Sequence, residues 1–179
     1  MMRAMSAPPS RPSASSLPPA DRLPRWVILW LALAAVVVTW DALFVLNRPA
    51  SMPGGPLHAL WKPYGLYVQV DHRYGNLQDP FVVAQSYMNL LEIALGLLAL
   101  RLHQTGRRGA VLLAYSVSLM TLAKTVLYFV MDAVSGFAQT RHNSLAMLVP
   151  YYLMTNGVWL ILPAAVLSKL GRRLAPIAE

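Results

Sequence analysis

Four runs of apolar residues, Trp26 to Leu46, Phe81 to Leu100, Ala110 to Met131 and Ala146 to Leu167, constrain this chain more than any motif does. Each approaches the ~20 residues that a helix needs to cross a ~30 Å hydrocarbon core. A bilayer interior offers no water to the backbone, so such runs take the form that satisfies its own N–H and C=O groups, the helix. Of the 179 residues, 56% are hydrophobic and 12% charged, against about 25% charged in soluble domains. The expectation is an all-α polytopic membrane protein, a bundle of four transmembrane helices.

The boundaries follow from composition. Residues 1–24 are rich in Ser, Pro and Ala and carry no acid before Asp21. Such a segment cannot bury enough apolar surface to fold, and a disordered tail is expected. Its Arg- and Ser-rich, acid-poor character is also transit-peptide-like, although no amphipathic helix pattern accompanies it. The membrane domain then spans 25–174, with a short C-terminal tail at 175–179. The first apolar run is long and ends in "TWDALFVLNRP", so it reads as a retained anchor and not a cleaved signal.

Charge sets the expected orientation. Arg3, Arg11, Arg22 and Arg25 precede the first run, Arg101, Arg107 and Arg108 separate the second and third, and Lys169, Arg172 and Arg173 follow the fourth. The other side holds Arg48, Lys62, Arg73 and Arg141, and Lys124 lies inside a run. By the positive-inside rule both termini are cytosolic. The basic residues flank apolar runs instead of forming a patch with interleaved aromatics, which sets nucleic acid aside. The connection from Asn47 to Pro80 is too apolar for a loose linker, and a structured luminal loop with a short helix near Tyr64 to Tyr74 is expected.

Polar residues inside the runs are the informative exceptions. Gln85, Asn89 and Glu92 are spaced four and three apart, which puts them on one helical face. Thr121, Lys124 and Tyr128 share a face of the third run, Asn156 and Trp159 one of the fourth, and Asp41 lies near the end of the first. Antiparallel threading brings all of them to a similar depth. A charged side chain at the bilayer centre costs about 2.5–3.5 kcal/mol on insertion scales and normally faces a protein interior or cavity. The stripes therefore predict a shared pocket. The simpler reading of each is packing: amide hydrogen bonds between helices for Gln85 and Asn89, and an ion pair for Glu92 with Lys124.

Soluble-enzyme constellations are absent from the sequence. No HExxH, P-loop, GxGxxG or GxSxG occurs, the four histidines are scattered over loops, and there is no cysteine. Neither a metal site nor a cofactor is expected.

Several segments carry a resemblance. "WDALFVL" (Trp40 to Leu46), "VDHRYG" (Val70 to Gly75), "TVLYFVMD" with "GF" after it, and "TNGVWLILP" (Thr155 to Pro163) resemble blocks of the emopamil-binding, or EXPERA, family over roughly Trp26 to Leu174. That family includes sterol 8,7-isomerase and the sigma-two receptor. The resemblance implies a four-helix bundle of the endoplasmic reticulum with a luminal-half pocket for a sterol or terpenoid lipid, and it admits a homodimer. It matches Asp41 to the family's first-span acid, Asp71, Arg73 and Tyr74 to its acid-x-Arg-Tyr segment, and Asn156 and Trp159 to its Asn-x-x-Trp. The sequence departs from the isomerase at Val37, where the family enzyme has histidine, and at Gln85 and Ser86, near an expected glutamate.

Read as an isomerase, the chain would shift a ring double bond through a carbocation. Asp41 would be the leading proton donor or acceptor, Glu92 a second carboxylate, Trp159 the cation-stabilising wall and Asn156 an orienting group. Trp40, Asp71, Tyr74, Gln85, Asn89, Lys124 and Tyr128 would line the substrate site. Three alternatives stay open: a sterol or lipid sensor or carrier without proton transfer, an enzyme acting on another terpenoid, and a structural assembly partner.

Overall fold

A computed structural model describes residues 22–107 and 109–175, and among these every regular element is helical. Helix α1 (Arg25–Leu46) is followed by a connection containing a 3₁₀ turn (His58–Trp61) and two short helices, α2 (Tyr64–Val70) and α3 (His72–Gly75). Helices α4 (Pro80–Gln104) and α5 (Ala110–Val134) form a long hairpin. A short α6 (Leu145–Leu148) runs through a π-helical turn (Val149–Met154) into α7 (Thr155–Leu174). Four helical segments, the last continuous from Leu145 to Leu174, are long and apolar enough to cross a membrane. The protein is thus an all-α integral membrane protein.

Local chemistry explains the boundaries. Asp79 caps α4, its carboxylate accepting from the Phe81 amide at 2.8 Å, and Pro80 occupies the first turn, where no intrahelical N–H is needed. The tight α4–α5 turn uses Gly106 and Gly109 at φ 62° and 97°, a region that disfavours any side chain with a Cβ. A single short helix near Tyr64 to Tyr74 does not form. Asp71 adopts extended dihedrals (φ −118°, ψ 99°) and turns its carboxylate onto the Arg73 amide at 3.0 Å, ending α2 and capping α3.

Packing runs in sequence order: α1 lies on α4, α4 on α5, and α5 on α7. At the end carrying the chain termini all four helices converge on one apolar core that includes Val27, Leu31, Ala114, Val166 and Leu170. Leu23 belongs to this core at 4% exposure and its amide meets His103 Nδ1 at 3.3 Å. The last residues of the expected 1–24 tail are therefore packed; residues 1–21 lie outside the described residues, as do 176–179.

At the opposite end the 47–79 connection folds into a cap. Phe44, Val45, Trp61, Tyr64 and Val82 cluster between cap and helices. Trp40 Nε1 donates to the Leu60 carbonyl at 3.1 Å and Trp61 Nε1 to the Trp40 carbonyl at 2.9 Å. The Arg48 guanidinium donates to the carbonyls of Arg73 (3.4 Å), Tyr74 (2.8 Å) and Asn76 (3.2 Å), and Arg73 pairs with Asp79 at 3.4 Å. Arg73 is 4% exposed and its guanidinium lies 5.1 Å from the Phe81 ring centre. Its charge is thereby satisfied by an acid and an aromatic face away from bulk water.

Candidate functional site

Between the converged end and the cap, the four long helices enclose a cavity of about 670 Å³. Its walls are mainly apolar, but one side carries a continuous line of polar groups. Asp41 stands at the cap end of α1 and receives Tyr64 OH at 2.5 Å and Tyr74 OH at 3.0 Å on Oδ1, with Asn89 Nδ2 at 3.3 Å on Oδ2. The Asn89 carbonyl oxygen accepts from Lys124 Nζ, which also lies 3.1 Å from Glu92 Oε2. Thr121 Oγ1 donates to that same oxygen at 2.9 Å. Glu92 Oε1 is buried without a hydrogen-bond partner.

Two carboxylates and one ammonium are thus strung along the α1–α4–α5 wall, joined by a single amide. The helix periodicity of α4 makes this geometry: Gln85, Asn89 and Glu92 share one face, and Gln85 Nε2 donates to the Lys124 carbonyl at 3.3 Å. The phenols of Tyr64, Tyr67 and Tyr74 are pushed well above their usual range, chiefly by burial and further by nearby carboxylates, so they remain O–H donors.

The other walls complete the cavity. Trp159 packs against Trp30 in a tilted arrangement with ring centres 5.0 Å apart, forming an aromatic floor where α1 meets α7. Asn156 Nδ2 donates to Tyr67 OH at 3.2 Å and to the Tyr152 carbonyl at 2.9 Å, fixing the α7 wall to the cap. Lining side chains on α4 and α5, such as Ser86, Asn89, Glu92 and Tyr128, are buried, whereas Leu33, Val37 and Trp40 on α1, Tyr151 in the π-helical turn, and Thr155 and Val158 on α7 are exposed. The cavity therefore opens sideways between α1 and α7, where a bilayer would present acyl chains.

Of the residues singled out in the sequence, Trp40, Asp41, Tyr74, Gln85, Asn89, Glu92, Lys124, Tyr128, Asn156 and Trp159 all line this one cavity. Asp71 does not. It is 1% exposed behind the wall, bonded to the Tyr128 hydroxyl and the Arg73 amide, and it positions Tyr128 instead of meeting a ligand. Burial pushes its carboxyl up to about 6 against the lowering effect of those hydrogen bonds.

Three contributors escaped the sequence reading: Tyr64 and Tyr67 in the cap, and Trp30 in the floor. The i, i+3 spacing of Tyr64 and Tyr67 was their available signal, but nothing local says that α2 lies across the mouth of the bundle. Asp132 is a further buried acid, held by Thr140 at 2.5 Å and Tyr152 at 3.3 Å, and it is absent from the cavity lining. Among the described residues no group of three or more His, Cys, Asp or Glu side chains is placed to hold a metal ion.

The chain matches no protein-family model and no curated protein sequence. Fold and cavity define its class directly: a four-helix integral membrane protein enclosing a mainly apolar chamber with one polar wall.

Proposed function

We propose that the protein is a membrane isomerase of the emopamil-binding type, residing in the endoplasmic reticulum with both termini cytosolic, that shifts a ring double bond in a sterol or related terpenoid. The observation that carries this reading is Asp41: a carboxylate on the wall of an apolar chamber, oriented by two phenols and an amide. Glu92 is paired with Lys124 and Thr121 further along the wall, which leaves Asp41 as the acid–base group for the ring carbons and Glu92 as a second carboxylate. Asp41 protonates one ring carbon and takes the proton from another, while Trp159, lining the floor of the chamber, supports the cationic intermediate. Asn156 orients the Tyr67 hydroxyl at the mouth. The sideways opening supports entry of a substrate dissolved in the bilayer.

A second reading, a sterol or lipid sensor or carrier, is favoured by Val37 and by the Gln85 and Ser86 pair standing where the family enzyme has ionisable groups. Sterol profiling of a sterol-isomerase-deficient yeast strain separates the two. Wild type is expected to convert the accumulated 8-ene sterol and Asp41→Asn to leave it unconverted. Expressed wild type that converts nothing yet retains a photoactivatable sterol would favour the carrier.

A further inference from the structure

Lys124 has no part in the isomerase chemistry, yet it is the most unusual group in the cavity. The chain's lysines are Lys62, Lys124 and Lys169, and Lys62 and Lys169 are exposed. The Lys124 side chain is 15% exposed and lies on the cavity wall, midway along α5. Two of its N–H groups are engaged, by Asn89 Oδ1 and Glu92 Oε2; the third has no acceptor among the described residues.

A purely structural ion pair would have both carboxylate oxygens satisfied, because an unpaired buried polar atom costs about 1–3 kcal/mol. Here Thr121 and Lys124 both converge on Oε2, and Oε1 is left bare beside the amine. An amine on the wall of a mainly apolar pocket, with a proton acceptor next to it, is the arrangement that imine chemistry requires.

We infer that Lys124 is a covalent capture site for an apolar aldehyde, of long-chain or isoprenoid type, held in the cavity as an imine with Glu92 as counterion. The ammonium passes one proton to Glu92, the freed nitrogen lone pair attacks the carbonyl carbon to form a C–N bond as the C=O π pair moves onto oxygen, and that oxygen takes a proton from the nitrogen to give a carbinolamine. Glu92 then returns its proton to the hydroxyl, which leaves as water while the nitrogen lone pair completes the C=N bond. One aldehyde and one ammonium are consumed, and one iminium and one water are formed. The iminium N–H keeps Glu92 as its partner. The apolar wall formed by Leu31, Ala34, Val117 and Trp159 shields the product from hydrolysis. This capture does not depend on proton transfer at Asp41.

The test treats the full-length protein in lipid nanodiscs with farnesal and sodium cyanoborohydride, then locates the reduced adduct by intact mass and chymotryptic peptide mapping. One adduct per chain is expected, on Lys124, exceeding that on Lys169 by about tenfold or more because the bound aldehyde is held against the amine. Lys124→Arg, which keeps a cation for Glu92, is expected to remove it, and Glu92→Gln to slow its formation. Labelling spread over Lys62 and Lys169, or a folded wild type unlabelled at Lys124, would overturn the proposal. Since the yeast assay reads sterol conversion and this one reads a covalent mass, either activity can fail without the other.

Discussion

Asn89 joins Asp41 to Lys124, since its amide nitrogen serves the carboxylate and its oxygen serves the ammonium. Replacing it with leucine removes a donor and an acceptor from partners that water reaches poorly. Asn89→Leu should lower stability by about 1–3 kcal/mol, read as an earlier thermal transition of the detergent-solubilised protein. Asp71 makes a pH prediction. Its folded-state pKa of about 6 lies above the ordinary carboxylate value, so the stability it contributes is complete below about pH 4 and is lost as pH rises through 6. The stability of wild type minus that of Asp71→Asn, read from paired melting curves, should therefore fall between about pH 4 and pH 6 by at most about 3 kcal/mol and level off above that. A flat difference would mean that Asp71 titrates as in an open chain. The span polar residues were legible one by one because charge in an apolar run is rare. The phenols on Asp41 were not, because they arrive from a separate element across more than twenty positions of sequence.

At the scale of elements, the cap is the part most dependent on backbone approach. A Cβ on Gly55 would lie 2.2 Å from the Ala50 carbonyl oxygen, a backbone atom that cannot rotate away. Gly157, within α7, has nothing within 4 Å of the corresponding position. Gly55→Ala should therefore destabilise the cap by more than about 1 kcal/mol, whereas Gly157→Ala should be neutral or mildly stabilising. Limited proteolysis in the 47–79 connection checks both: faster cleavage for the first variant, no change for the second. The long helices were legible to within four residues at every boundary but the last, where the basic final turns carry the helix from Leu167 on to Leu174, since hydrophobic length is a local property. The break at Asp71 was not, because it depends on a side chain choosing the Arg73 amide over helix continuation.

For the whole molecule, four membrane-length helices put the start of α1, the end of α7 and the α4–α5 turn at one end and the cap at the other. The absence of native cysteine makes this directly testable. Single cysteines at Gln78 and Gln104 should react with a membrane-impermeant maleimide from opposite sides of sealed microsomes, Gln78→Cys being the one protected inside. Reaction of both from the same side would exclude this threading. Apolar length and charge asymmetry, both visible one residue at a time, determined the membrane environment, the number of spans and the polar stripes that face inward. The sequence by itself carried that much because hydration energies depend on residue type and not on neighbours. Tertiary structure alone decided that α1 and α7 part at the cap end, that α2 and α3 each bring one phenol, Tyr64 and Tyr74, onto Asp41, that Asp71 sits behind the wall, and that Lys124 shares one oxygen of Glu92 with Thr121. These are contacts between distant segments, whose energy exists only once the backbone has brought the partners within hydrogen-bond reach.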